Sequence, residues 1–473
     1  MKTYDLNKVA QAVKGQFLSQ FESVVKGVGT DTRKNLTGQL FIALKGDSFD
    51  GHQYLLQAVQ AGASAVMVHD MPANQKAILD KVTVIQVPDT LKALQQMGHW
   101  VRKQMKAKVL ALTGSNGKTS TKEFTAQILS GYKVICYSQG SFNNHWGVPI
   151  SLLNLDSVHE AAIIEMGMNH PGEITQLVQI ADPDAVVCTM VGRAHIEFFG
   201  TQEKIAQAKE EIYLASNPKS LAIFNLDNSY TRKMFDHAVK TQPQRPKMTF
   251  SETEKADVQL QLTEANFDGL KVKGVIKGVS GETFIPVFGK QNITNLLAAT
   301  CLALAAGLTA DQAWKGLKNC KSHWGRNQKV KLKSGAVALF DAYNANPDSM
   351  EALLENVESL KVKGQKIGVF GQMRELGDQS KRLHQMIGHK AGNVDFAKIF
   401  FYGDDFESFQ SGLKDSGFKG EVFVQKDFSD ELAQKLNKSI RTDDLIVFKA
   451  SRGPRLERML LACGPLDFNL DKS

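Results

Sequence analysis

Gly114, Ser115, Asn116, Gly117, Lys118, Thr119 and Ser120 lie between the apolar run VLALT and a helical stretch over 121–129. A glycine-rich turn from a strand into a helix N-terminus presents backbone N–H groups and the positive end of the helix dipole to phosphate. In that setting Lys118 would neutralise a transferred phosphate and the Thr119 hydroxyl would bind Mg2+. The longer phosphate-loop pattern GxxxxGK[ST] would need glycine where Leu112 stands, so this is the shorter GxxGKT form. An ordinary strand–helix turn is the competing reading; the strand before and the helix after favour phosphate.

Glu165 ends the apolar run 161–165, and His195 follows the run 185–191. Either residue alone is more often structural. In the same sheet as a phosphate loop, both become candidate Mg2+ ligands, because nucleotide-bound magnesium wants hard donors and keeps open positions. Lys209 falls in the helical stretch 202–215, where Ile205, Ala208 and Ile212 mark an apolar stripe. Periodicity favours a lysine snorkelling from the edge of that stripe. The sharper alternative is a lysine held near the metal site for a purpose.

Carboxamides form a third group. Asn143 and Asn144 follow a strand and Gly140, Asn292 and Asn295 share one face of an apolar helix, and Asn344 and Asn346 stand in DAYNANP after another strand. Asparagine at such places is usually a turn or cap residue. It can equally read an adenine edge or a peptide carboxylate, since it carries donors and an acceptor together.

The elements that must position these residues are short β-branched runs alternating with helical stretches, the pattern of parallel sheets with crossover helices. A small α/β module over 1–85 carries strands at 40–44, 63–68 and 82–87. A larger central sheet over 86–320 carries 109–112, 134–137, 161–165, 185–191 and 221–224, followed by a surface loop at 242–247 and a buried apolar helix at 296–308. A Rossmann-like block over 321–473 carries 336–340, 367–370, 399–402, 421–424 and 445–448. Ligands of open parallel sheets bind at the carboxyl ends of strands, where this chain places Thr113, Glu165, Arg193, His195, Asp341 and the run Lys449 to Arg452.

The 473 residues and the net charge of +8 suit a multidomain protein with anionic small-molecule ligands; without a Lys/Arg block they argue only weakly for nucleic acid. No stretch reaches the ~18 apolar residues of a membrane span, and MKTYDLNKVAQAVKG has no signal-peptide core, so the expected location is cytoplasmic. The five cysteines lie far apart, which argues against a disulfide framework or a metal cluster.

Taken together, ALTGSNGKTSTKE, SFNNHWGVPISLL, EMGMNHPGEI, AHIEFFGTQEKIAQAKEEIY, GKQNITN, WGRNQ, DAYNANPDSM and GQMRELG occur in the order seen in Mur ligases. DTR at 31–33 and LFIALKGDSFDGH at 40–52 resemble the uridine-nucleotide module of that family. The resemblance covers nearly the whole chain and implies an ATP-dependent amide ligase, a monomer, that joins D-alanyl-D-alanine to UDP-N-acetylmuramoyl-tripeptide through an acyl phosphate. It implies that the N-terminal module takes the UDP-sugar, with Thr32 and Arg33 facing the diphosphate. The central domain takes ATP and the C-terminal domain the incoming dipeptide. Gly114 to Ser120 would cradle the ATP phosphates, Asn292 and Asn295 would contact adenine, Asp341 the ribose and Arg326 the phosphates. Thr119, Glu165, His195 and a carbamylated Lys209 would place two Mg2+ ions. Asn143, Asn144, Asn344 and Asn346 would meet the substrates. Two residues depart from the family pattern: Gln291 where histidine is usual, and Gln372 where an acidic residue is usual. A related ligase for a single amino acid, folylpolyglutamate synthetase, and a nucleic-acid- or protein-binding ATPase switch are the alternatives.

Overall fold

The computed structural model describes residues 2–46 and 49–469. Asp47 and Ser48, inside the 40–52 segment, lie outside the described residues. Each of the three expected blocks contains its own sheet.

In the first block, five strands run in the order Gln16–Ser19, Thr83–Gln86, Ala65–Val68, Leu40–Ile42 and Val28–Gly29, with Gln16–Ser19 antiparallel to its neighbour. A two-stranded ribbon, Thr3–Asp5 with Val24–Lys26, lies beside it. These extra strands have two to four residues each, too short for a period-two pattern to show.

The central sheet has nine strands. Seven are parallel, in the order Ile135–Tyr137, Ala161–Glu165, Lys108–Thr113, Ala185–Cys188, Leu221–Asn225, Lys247–Ser251 and Val258–Ala265. Leu270–Ile276 and Val279–Ile285 extend it antiparallel. The last four of these strands are absent from the sequence-based expectation. Three of them carry polar residues at alternate positions on an exposed face, so they lack the continuous apolar run of a buried parallel strand. The expected 242–247 loop is shorter by one residue: a helix ends at Thr241 and the next strand starts at Lys247.

Alternate residues of each strand enter different cores. Val109 and Ala111 pack with helices Thr90–Gln104 and Gln202–Leu214, while Leu110 and Leu112 pack with helices Lys118–Leu129 and Asn292–Ala305. Both faces are therefore covered, which explains why these strands read as unbroken apolar runs. Asn292–Ala305 is buried on nearly every side, as its composition requires. It stops at Ala305, short of the expected 308, because Gly307 turns the chain at φ 101°.

The third block is a six-stranded sheet. Gln328–Lys331 is antiparallel, and Val337–Asp341, Leu445–Lys449, Lys366–Gly371, Phe396–Tyr402 and Glu421–Gln425 are parallel in that order. Leu339, Phe370 and Phe401 face helices Pro347–Glu358 and Ser380–Gly392, while Phe340, Val369 and Phe400 face Asp430–Ser439 and Glu457–Ala462. The sheet is doubly wound, as expected of a Rossmann-like block.

Candidate active site

In the central sheet the strand order reverses at Lys108–Thr113, and the glycine-rich turn leaves that strand's carboxyl end, where open α/β sheets bind ligands. Gly117 caps helix Lys118–Leu129 at φ 82°. A β-carbon at Gly117 would stand 2.0 Å from Asn295 Oδ1, and one at Gly114 would stand 1.9 Å from Thr189 Oγ1. Only glycine lets the turn lie this close to its supports. Thr189 Oγ1 donates to Asn116 O at 2.7 Å, and Ser115 N donates to Met190 O at 2.9 Å, which pins the turn to the adjacent strand. Lys118 Nζ donates to Gly114 O at 2.7 Å, curled over the loop it would share with a phosphate. Gly117→Ala should cost about 1–2 kcal/mol from backbone conformation alone, plus displacement of Asn295. An ADP titration beside a melting curve checks it, with affinity expected to fall more than stability.

Beside the turn, Glu165 ends its strand, nearly fully buried. Asn143 Nδ2 donates to Glu165 Oε1 at 2.8 Å, while Oε2 has no partner among the described residues. The loop carrying Asn143 is held from below by Lys122, whose buried Nζ donates to Ser138 O and Gly140 O at 2.7 Å each. His195 is held at φ 64°, and its Nδ1 lies 2.7 Å from Glu375 Oε2, out of line with the N–H direction. Burial lowers the pKa of His195, against the attraction of Glu375.

Lys209 corrects the snorkelling expectation. Its side chain is fully buried, and Nζ has no hydrogen-bond partner among the described residues. Burial, and then repulsion from Lys118, pull its amine down to about 7. It stays inside because Ile205, Ala208 and Ile212 turn the same helix face into the core beneath the sheet.

Two cavities open from the turn. One, of about 310 Å3, is lined by Ser120, Asn292, Asn295 and Asp341. The other, of about 580 Å3, is lined by Lys118, Thr119, Glu165, His195 and Asn344. They meet at Asn116, Gly117 and Arg326, so the glycine-rich turn is their common wall. Arg326 reaches Thr119 Oγ1 at 3.5 Å, and its guanidinium lies 4.6 Å from the centre of the Tyr343 ring. In the smaller cavity Asn295 Nδ2 donates to Asn292 Oδ1 at 2.9 Å, and the buried Lys449 Nζ donates to Asp341 Oδ2 at 2.7 Å.

The remaining candidates divide. Asn143 and Asn144 line the larger cavity, although Asn144 Oδ1 also accepts from Gly147 N at 2.9 Å in a turn. Asn346 lines neither cavity. Its Nδ2 donates to Asn116 Oδ1 at 2.7 Å and its Oδ1 accepts from Ser349 N at 3.0 Å, so its amide joins the two sheets and caps a helix. The amide that the sequence offers to substrate is engaged here by Asn116 and Ser349. Thr32 and Arg33 lie in the first block and line neither cavity. Thr32 Oγ1 donates to Gln57 Oε1 at 3.4 Å, and Arg33 pairs with Asp31 at 2.8 Å.

Both departures find partners. Gln291 Oε1 accepts from Asn356 Nδ2 at 2.8 Å, linking the start of helix Asn292–Ala305 to helix Pro347–Glu358. Gln372 Nε2 donates to Asp405 Oδ2 at 2.6 Å. Sequence reasoning missed Tyr343 and Glu375, although both stand inside motifs that it quoted, DAYNANPDSM and GQMRELG.

Comparison with known proteins agrees with this arrangement. Family models match residues 24–100 (Mur ligase family, catalytic domain), 112–303 (Mur ligase middle domain) and 325–452 (Mur ligase, glutamate ligase domain). The chain is 35% identical to the UDP-N-acetylmuramoyl-tripeptide--D-alanyl-D-alanine ligase of Bacillus subtilis, covering 96% of this chain and 97% of that one. A crystal structure of MurF from Acinetobacter baumannii superposes with a TM-score of 0.86 at 28% identity, over 98% of both chains. MurF ligase from Thermotoga maritima in complex with ADP gives a TM-score of 0.77 at 25% identity, over 93% of this chain and 97% of that one.

Proposed function

This chain belongs to the Mur ligase family, and from that premise we propose that it is the ATP-dependent ligase that joins D-alanyl-D-alanine to UDP-N-acetylmuramoyl-tripeptide. The observation that carries this reading is the full-length similarity to ligases of that name, with two cavities that meet at one glycine-rich turn. One cavity suits a nucleoside and the other suits the two groups to be joined.

A carboxylate is a poor electrophile. The γ-phosphoryl group therefore passes to the tripeptide's terminal carboxylate, ADP leaves, and an acyl phosphate results. The free amine of D-alanyl-D-alanine then attacks the carbonyl carbon, and phosphate leaves as the amide forms. Lys118 and Arg326 flank the turn and offset the charge that builds up on the transferred group. Asp341 at the far side of the nucleoside cavity suits a ribose hydroxyl, and Asn292 and Asn295 suit the adenine edge. Thr32 and Arg33 are assigned to the uridine diphosphate, and Asn143, Asn144 and Asn344 to the groups being joined. Closure of the walls that both large sheets contribute would exclude water that hydrolyses the acyl phosphate.

The donor set fits magnesium. Glu165 offers a buried, unpartnered carboxylate oxygen, with the Thr119 hydroxyl and His195 lining the same cavity. These residues would hold Mg2+, which would supply positive charge against the negative charge of the phosphates. Lys209 is an unpartnered amine whose neutral form is accessible near neutral pH. Addition of CO2 would convert it to an anionic oxygen ligand for a second ion.

The test is phosphate release from ATP with UDP-MurNAc-tripeptide and D-alanyl-D-alanine supplied separately and together. Release should require both and should accompany formation of UDP-MurNAc-pentapeptide. Equal release with neither substrate would sink the ligase reading, and release with a single amino acid in place of the dipeptide would shift it to a sister ligase.

A further inference from the structure

The six-stranded sheet sends one carboxylate into the metal corner of the nine-stranded sheet. Glu375 lies on the loop after strand Lys366–Gly371 and lines the larger cavity beside His195. We propose that Glu375 is a positioning residue: its carboxylate is placed to accept a hydrogen bond from Nδ1–H of His195, which leaves the Nε2 lone pair free to ligate a divalent cation. The inference rests on the reading of His195 as a metal ligand given above.

The geometry is specific. His195 Nδ1 is 2.7 Å from Glu375 Oε2. Both residues hold left-handed backbone, φ 64° and 62°, although neither is glycine. Such backbone is strained and survives only where the surroundings over-determine it. Those surroundings are visible around the loop. Gln372 is tied to Asp405 at 2.6 Å, Met373 N donates to His384 Nε2 at 3.0 Å, and Arg374 N donates to Ser451 Oγ at 3.0 Å. Across the sheets, Glu197 N donates to Glu375 O at 3.4 Å. The loop is thus fastened at successive residues to its own sheet and, at its tip, to the short helix Ile196–Phe199 that follows His195.

Metal-binding histidines commonly give their second N–H to a carboxylate, which fixes tautomer and ring orientation. Here that carboxylate comes from the opposite sheet, so His195 is held ready only when the C-terminal sheet is docked. The present offset of the N–H from Oε2 is the kind that tightens when ligands bind. This also accounts for Gln372, whose uncharged amide holds Asp405 while leaving Glu375 as the carboxylate turned toward His195.

The test uses the full chain labelled with 15N-histidine, and Mn2+ binding in the presence of ADP followed by electron paramagnetic resonance. The His195 signal is the one lost in His195→Ala. In the wild type it should report the Nδ1–H tautomer, and Glu375→Ala should shift it toward the Nε2–H form. Glu375→Gln should retain Nδ1–H, because its carbonyl oxygen accepts the same proton. Mn2+ affinity should fall roughly 10–100-fold in Glu375→Ala and recover in part in Glu375→Gln. If Glu375→Ala leaves tautomer and Mn2+ affinity unchanged while His195→Ala loses Mn2+, the positioning role is wrong and the metal reading stands. If His195→Ala binds Mn2+ like the wild type, the metal reading falls and takes this inference with it.

Discussion

Lys209→Met is expected to abolish ligation while raising the melting temperature. The two effects have one cause. Lys209 places an amine in the core with no hydrogen-bond partner among the described residues, and an unsatisfied buried polar group costs about 1–3 kcal/mol. Methionine has similar length and fills the same space without that penalty. Activity should drop by about a thousandfold, the scale for loss of a preorganised charge at a reacting phosphoryl group. Kinetics beside calorimetry checks both. A variant that is less stable and still active would show that Lys209 is a packing residue.

The pH dependence follows with a definite sign. The amine is held down to about 7 by burial and by Lys118. Free lysine in the unfolded chain stays protonated to much higher pH, so between about 7 and that value the unfolded state binds more protons. Without CO2, wild-type stability therefore rises with pH across that window, and the advantage of Lys209→Met should shrink in step. Below about 7 the amine is charged and closed to CO2, so ligase activity should fall on the acid side and respond to added bicarbonate. Solution 13C NMR after loading with labelled bicarbonate would show the carbamate, and its absence at active pH would remove this role.

Lys118→Ala should lower kcat/KM by about a thousandfold, with most of the loss in kcat. The ammonium rests on Gly114 O at 2.7 Å, within the turn that would hold the phosphates. Removing it leaves the backbone cradle and Arg326 in place, so ATP should still bind. What disappears is a positive charge where negative charge accumulates during transfer. Burial lowers the pKa of Lys118, with the Glu165 carboxylate opposing that shift, and a charge in that buried setting acts more strongly than one in water. Steady-state kinetics with ADP titration separates the terms. A pure KM effect would recast Lys118 as a binding residue.

Much of this was legible in the chain itself. The parallel strands of the two large sheets are covered on both faces, so their residues had to be apolar throughout, and runs such as 109–112 and 445–448 announced them. The glycine-rich turn was legible for a similar local reason. Its glycines answer to a left-handed φ at Gly117 and to side chains within 2.0 Å of where a β-carbon would stand. The strands within 258–285 were not legible, because half-exposed strands carry a mixed pattern.

Residue type and spacing along the chain thus determined the fold class, the phosphate turn and the family, because each depends on local backbone chemistry or on motif order. Tertiary structure alone decided the rest. Whether Lys209 snorkels or stays buried depends on what covers its helix, and that cover comes from other elements. The fate of Asn346 depends on Asn116, 230 residues away, and that of His195 on Glu375 from another sheet. Periodicity reports which face of an element is apolar. It carries no information about which polar group, from a distant part of the chain, will be brought against that face.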